Sequence, residues 1–241
     1  MASPGAPRRS GTEYEYAYER LAEMILSGDI AAGTPISQVD LAEEIGVSRT
    51  PLREASRLLQ REGLLVGEPN RRLRAADVTL EDLDELYSVR ISVESLALQL
   101  AVPRMDDDHV SGLEEALDEL ERMGAEGRDA DEPHRRFHLQ LVAPAGTRFE
   151  NLGSSLWDHS IRYRSACLAS GPGSPELEEL IVEGARDHRA ILAAVRRGDG
   201  SGAAAILAGH YAQTARFLAG RIDGDHTLEA VAAALGEVGD A

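Results

Sequence analysis

Four histidines in this chain have spacings that would bring their imidazoles together. His188 and His210 each stand 11 residues from Asp199, within the Gly198-Asp199-Gly200 break between two apolar-periodic runs. If those runs form an antiparallel helical hairpin, both rings lie level, roughly 15 Å from the turn at about 1.5 Å per residue. Each falls on its run's apolar stripe: Ile181, Ala185, His188, Leu192 and Val195 on one arm, Leu207, His210, Thr214 and Leu218 on the other. His134 and His138 are one helical turn apart, on the face that Leu141 continues. Inward imidazoles have two uses. They can be core residues hydrogen-bonded to carbonyls, or they can offer lone pairs to a cation; four together strain the first reading, because each ring needs its own partners. His109, His159 and His226 lack this arrangement and read as surface residues.

Arg90 adds a second chemical group. Leu83, Leu86, Arg90, Val93, Ala97 and Leu100 advance by helical steps, so a guanidinium occupies a core position. A buried guanidinium needs an anion, and its fork suits a carboxylate. Either Glu94, one turn away, or the carboxylate of a bound effector answers that need. Arg162 and Arg164 are weaker candidates of the same kind.

The elements holding these residues are helices. From Thr79 onward the helical period breaks only near Pro103, Gly127, Pro144 to Gly146, Gly171 to Pro175, Gly198 to Gly202 and Gly224, giving six or seven helices over residues 79–236. Residues 12–76 read differently. A periodic run from Tyr14 to Leu26 is followed by Gln38 to Ile45, which stops at Gly46, and by a third run that starts after Ser48, a good helix N-cap, and ends at Gly63. Helix, tight turn and helix make a helix-turn-helix. Leu64 to Val66 and Arg72 to Ala75 then read as a small hairpin, or wing.

On the third helix Leu52, Ala55 and Leu59 form the inward seam, whereas Arg49, Arg53, Arg57 and Arg61 recur every four residues on another side. Arg49, Thr50 and Arg53 are the candidates for base contacts in the major groove, Arg57 for phosphates, Arg71 and Arg72 for the wing's contacts, and Ser48 is a further DNA-binding candidate. An arginine stripe alone also fits a solvated face with Glu54 beside Arg57; the preceding helix, the Gly46 turn and the basic wing favour double-stranded DNA.

Charge agrees with this division. The chain carries −17 overall, but residues 1–76 hold ten arginines against eleven acidic residues, which leaves nearly all the negative charge beyond them. Wholesale coating of nucleic acid is excluded, and any DNA contact is concentrated between Arg49 and Arg74. Cys167 is the single cysteine, so a disulfide framework or thiolate cluster is excluded. No run approaches the apolar length of a membrane span, and residues 1–11, rich in Pro, Gly and Arg, read as a disordered tail without a signal-peptide core. A cytoplasmic protein follows. No nucleophile or acid–base pair has a spacing that requires catalysis, so an enzyme is not expected.

The string from Asp40 to Glu54, DLAEEIGVSRTPLRE, and the Arg61-Glu-Gly-Leu-Leu65 that follows, resemble the GntR family of bacterial transcription regulators, in its FadR-like branch with an all-helical FCD ligand-binding domain. The resemblance continues through Arg90 with Glu94, Arg136-Phe137-His138, Asp187 to Ile191, Gly198-Asp199 and His210, nearly the whole chain. It implies a winged helix-turn-helix joined to a helical bundle, a homodimer on a pseudo-palindromic operator, and an effector held in the bundle. Two positions depart from the family pattern. Val39 stands where relatives often have an arginine that contributes to DNA contact. His134-Arg-Arg-Phe-His138 stands where the family's metal site usually reads Asp-x-x-x-His. With the first ligand an imidazole, His134, His138, His188 and His210 form an all-nitrogen set that suits zinc, with nickel or cobalt next, over magnesium or calcium. Such a set leaves the ion's charge uncompensated and favours an anionic effector. Asp131, one turn before His134, is positioned to restore an oxygen ligand or to accept a hydrogen bond from one.

The reading that results is a mainly α regulator. Its winged domain binds DNA, and its helical domain dimerises and binds a divalent transition metal and, through the metal, Arg90, Glu94 and Arg162, a small carboxylate. A regulator that responds to the metal ion itself is the alternative, and a metalloenzyme stands behind both.

Overall fold

The computed structural model describes residues 12–67, 73–128, 130–169, 174–223 and 227–236. The tail at residues 1–11 and the wing residues Arg71 and Arg72 lie outside the described residues. Contacts divide the chain into two units, Met1–Val78 and Thr79–Ala241.

In the first unit, Thr12 opens α1 (Glu13–Leu26) with a capping box: its hydroxyl accepts from the Glu15 backbone N–H, and the Glu15 carboxylate accepts from the Thr12 N–H. After β1 (Pro35–Ile36), Ser37 caps α2 (Gln38–Ile45). That helix ends at Gly46 with φ 75° and ψ 38°, a left-handed conformation that glycine adopts without a Cβ penalty, and the chain reverses into α3 (Arg49–Arg61). β2 (Leu65–Val66) and β3 (Leu73–Ala75) form the expected hairpin, with Leu65 opposite Ala75. β1 joins its far side, Ile36 opposite Leu73, giving the antiparallel order β1-β3-β2. Two residues led by a proline are too short to show alternation, so β1 is not legible as a strand in the sequence. Leu21, Ile25, Ile36, Leu41, Leu52 and Leu59 meet in the core beneath, each fully buried leucine contributing about 1.5–3 kcal/mol.

The second unit contains α4 (Leu80–Ala101), α5 (Asp107–Ala125), α6 (Asp131–Val142), α7 (Thr147–Ala169), α8 (Pro175–Arg196), α9 (Gly200–Ile222) and α10 (Glu229–Ala234). No described helix is long and apolar enough to cross a membrane. α4 lies along α9, α9 along α8, α5 against α6 and α8, and α7 against α4 and α6. The expected hairpin of α8 and α9 forms: Gly198 takes φ 70°, and the Asp199 carboxylate caps α9 by accepting from the Gly202 N–H. Gly200 lets this turn approach α4, since a Cβ there would stand 2.9 Å from the Gln99 carbonyl oxygen. α10 is pinned to α4 by the Asp84 carboxylate, which accepts the Ala230 and Val231 N–H groups at 2.9 Å.

Two expected stripes shift. Ile181 is 61% exposed because it lies on the side of α8 turned away from α9, which reaches that end through Gln213 with Glu183 and Arg221 with Ser174; Gly184, one turn before His188, is buried instead. On α4 the inward face is Leu83, Tyr87, Arg90, Glu94, Ala97 and Leu98, while Leu86 and Val93 are half-buried and Leu100 is exposed. Both α4 faces are apolar at helical spacing, and α9 covers the one carrying Tyr87 and Glu94.

Candidate metal centre and DNA-binding surface

α3 buries Pro51, Leu52, Ala55, Ser56 and Leu59 and turns Arg49, Thr50, Arg53, Arg57 and Arg61 to solvent. Among the described residues, none of those four arginines makes a hydrogen bond or ion pair with a side chain. Ser48 has the extended backbone of an N-cap, but its side chain makes no capping hydrogen bond. The expected cap is therefore a backbone position only, and the hydroxyl points to solvent beside Arg49. Arg74, on β3, pairs with Asp77 at 3.1 Å, and Val39 is 45% exposed on α2.

The four histidines come together from three helices: His134 and His138 from α6, His188 from α8 and His210 from α9. Each offers a ring nitrogen, and these atoms all lie within 4.8 Å of one another. The Nε2 of His138 is 3.1 Å from the Nε2 of both His134 and His188, and the His188 and His210 ring centroids are 4.7 Å apart. Gly184 on α8 lies against the His210 ring, where a Cβ would stand in ordinary van der Waals contact at 3.5 Å. Burial is the main cause that holds the pKa values of His134, His138 and His188 well below the usual imidazole range, reinforced for His134 by the Arg164 guanidinium and for His138 by the neighbouring rings. Neutral rings keep lone pairs. Two neighbours cannot both donate a proton to the single Nε2 lone pair of His138, and neutral ring nitrogens converging from three helices suit a cation.

A hydrogen-bonded series fixes the His138 ring. Arg90 on α4 donates from Nε to Glu94 Oε1 at 2.8 Å, and Tyr211 on α9 donates to Glu94 Oε2 at 2.6 Å. The Tyr211 proton being used, its oxygen accepts from His138 Nδ1 at 3.1 Å, which leaves the His138 Nε2 lone pair facing the cluster. His210 Nδ1 lies 3.5 Å from Asp187 Oδ2. Burial pushes the Tyr211 hydroxyl well above its ordinary pKa and keeps it a donor. Burial works to discharge Arg90, but the Glu94 carboxylate, together with the Tyr211 and Tyr87 hydroxyls, outweighs it and holds the guanidinium charged.

Arg90 is 3% exposed, and its Cζ stands 4.0 Å from the Tyr211 ring centroid. Its Nη2 and the Trp157 Nε1 are buried without a hydrogen-bond partner among the described residues. Trp157, on α7, packs its ring 4.9 Å from His134. Two donors without acceptors thus border the imidazoles. Arg162 is not brought here: its described partners are Asp82 and His159 near the start of α4, with Nε and Nη1 unpartnered. Asp131 contributes no ligand atom to the cluster; its carboxylate holds Arg164 at 3.0 Å on the exposed side. His109 bonds the Gln140 carbonyl, and His226 lies outside the described residues.

Sequence reasoning missed Tyr211 and Trp157. Tyr211 had a signal, a polar tip within the apolar register of Leu207 and Ala215, but which α9 face meets α4 is decided by packing.

Comparison with known proteins accounts for both units. Residues 13–74 match the gntR family of bacterial regulatory proteins, and residues 85–213 match the FCD domain. The chain is 36% identical over 132 residues to the uncharacterized HTH-type transcriptional regulator YdhC of Bacillus subtilis, covering 54% of this chain and 59% of that protein. It is 35% identical over 123 residues to the Nta operon transcriptional regulator of Aminobacter aminovorans, covering 49% and 57%. The chain thus spans somewhat over half the length of these two relatives. The solved structure of Escherichia coli McbR/YncC has the same fold, with a TM-score of 0.76 at 23% identity over 89% of this chain and 100% of that one. The chain belongs to the FCD-domain branch of the GntR family of bacterial regulatory proteins.

Proposed function

We propose that this protein is a homodimeric transcription regulator whose affinity for operator DNA is set by a small carboxylate bound at a divalent metal centre in the helical unit. The observation that carries the reading is the set of four inward imidazoles within 4.8 Å, beside the unpartnered Nη2 of Arg90. The donor set fits a transition metal. Two nitrogens each about 2.1 Å from one zinc ion stand about 3.4 Å apart at the tetrahedral angle, and the His138–His188 Nε2 separation of 3.1 Å lies just inside that. Zinc, nickel and cobalt suit such ligands, magnesium and calcium do not. His138, His188 and His210 would supply nitrogens to the ion, with His134 completing the cluster beside them; a bound ion would supply a Lewis acid to which an anion can attach. Arg90, held by Glu94 and stacked on Tyr211, offers that anion a fixed second charge.

On the DNA side, Arg49, Thr50 and Arg53 enter the major groove, Ser48 and Arg57 meet phosphates, and Arg71 and Arg72 belong to the wing's contacts. Arg162 stands apart and is proposed as a lesser effector contact, through its unpartnered Nε and Nη1. The partner surface is the open face of α4, where Leu86, Val89, Val93, Leu96 and Leu100 recur at steps of three and four and Val89, Leu96 and Leu100 are 42%, 49% and 38% exposed. A second copy presents the same stripe. Operator half-sites lie about one helical turn apart, so a ligand that rotates one protomer against its partner changes DNA affinity.

The test is elemental analysis of protein purified without a histidine tag or chelator, beside His188→Ala. One transition metal per chain, lost in the variant, is expected. Wild-type protein that takes up none after reconstitution overturns the metal half.

A further inference from the structure

The four imidazoles are not equivalent, and the difference originates in Arg164. Its Nη1 lies 3.0 Å from His134 Nδ1 and its Nη2 lies 3.0 Å from Asp131 Oδ1, so the carboxylate holds the guanidinium against the ring. A guanidinium has five donors and no acceptor. His134 Nδ1 must therefore accept, and a neutral imidazole that accepts at Nδ1 carries its proton on Nε2. That Nε2 is the nitrogen turned toward the cluster, 3.1 Å from His138 Nε2.

The other links agree in direction. His134 donates from Nε2 to His138 Nε2, His138 from Nδ1 to Tyr211, and Tyr211 to Glu94. The series starts at a group that can only donate and ends at a carboxylate that accepts, so each proton has one place. His138 ends with its lone pair toward the cluster, whereas His134 presents a proton there. For His134 to ligate through Nε2, its proton would have to move to Nδ1, where it would meet the Arg164 N–H.

We propose that Arg164 keeps His134 out of the metal's coordination sphere, so that the ion is held by His138, His188 and His210 while His134 is a hydrogen-bond donor to the anion in the open fourth position. This rests on the metal reading above. It explains how an all-histidine cluster avoids becoming a closed tetrahedral four-nitrogen site, in which a zinc ion would have no place for a ligand. It also gives Asp131 a role as the positioning group for Arg164.

Cobalt(II) binding tests the proposal, because its visible d–d bands report the ligand set and chelator competition reports affinity. The variants are His134→Ala, His188→Ala, Arg164→Met and the Arg164→Met/His134→Ala pair. Arg164 is 25% exposed, which makes its replacement compatible with folding. His134→Ala is expected to keep the wild-type bands and to lose less than about tenfold in affinity, whereas His188→Ala loses more than the roughly 10- to 100-fold that a partner outside the coordination sphere is worth. Arg164→Met is expected to change the bands and tighten binding, as His134 joins the ion. In the double variant that gain disappears. A gain that persists there is the loss of a nearby positive charge alone and overturns the proposal. So does a loss in His134→Ala as large as that in His188→Ala. Wild-type protein that binds no cobalt overturns the metal reading itself, a different failure from either.

Discussion

Arginine is used in opposite ways in the two units. On α3 the guanidinium groups stand in solvent, and among the described residues they have no side-chain partner. In the helical unit Arg90 is 3% exposed, pairs with Glu94 and lies over the Tyr211 ring. The first arrangement keeps charge mobile and hydrated until phosphate displaces counterions, so its energy depends steeply on salt. The second has met its desolvation cost on folding and is screened little by salt. One surface waits for a polyanion; one interior site is built around a few fixed atoms.

The largest expected effect tests the interior arrangement. Glu94→Ala leaves the Arg90 charge buried without its carboxylate and the Tyr211 hydroxyl without its acceptor. Breaking a buried pair in this way costs about 3–5 kcal/mol. Denaturant unfolding followed through Trp157, the single tryptophan and a neighbour of the site, reports the helical unit. A loss below about 1 kcal/mol, the scale of an exposed pair, would dissolve the contrast between the two sets of arginines.

Metal is next in size. Free zinc at a hundredfold excess over its dissociation constant stabilises the protein by about 2.7 kcal/mol if it binds only the folded state. The Trp157 transition of wild-type protein should rise by that amount and return on chelation, while His188→Ala should show neither change. An equal rise in His188→Ala would move the ion elsewhere.

For the solvent-facing set, Arg53→Ala is expected to weaken binding to a duplex selected by the wild-type protein by about 1–3 kcal/mol and to relax one base position. Arg57→Ala should weaken all sequences alike and lower the salt slope by about one. Both leave the unfolding transition where it was, because neither residue supports the core. If Arg53→Ala moved stability instead of affinity, the α3 face would be structural.

The contrast also explains what the sequence revealed. The histidine pair on α8 and α9 was legible because a glycine-marked turn and equal spacing fix which residues stand level, whatever else the fold does. Arg90 with Glu94 was legible because a one-turn spacing meets on any helix. Tyr211, Trp157 and the Arg164 contact were not, since each depends on which of two apolar faces a helix buries. Leu100 shows the same ambiguity: the helical steps on α4 describe two adjacent stripes, and only packing against α9 chooses between them. Ile181 was misjudged for the same reason, since the face of α8 that meets α9 there is the one carrying Gly184. Arg162 has the burial expected of an effector contact, yet it belongs with Asp82 and His159.

The smallest expected effect falls on Ser48, where the two regions' logics meet in one side chain. By type and position it should cap α3, and capping serines contribute about 1 kcal/mol. The hydroxyl makes no such hydrogen bond here, whereas the Ser37 hydroxyl accepts the Asp40 N–H ahead of α2. Ser37→Ala should therefore cost about 1 kcal/mol and Ser48→Ala less than about 0.5 kcal/mol, as for a surface substitution. Ser48→Ala should instead lower DNA affinity, by less than Arg53→Ala, because a neutral hydroxyl makes a weaker contact than a guanidinium. Equal destabilisation by the two serine variants, with DNA affinity unchanged, would return Ser48 to its capping role and shorten the DNA-facing surface by one residue at its leading end.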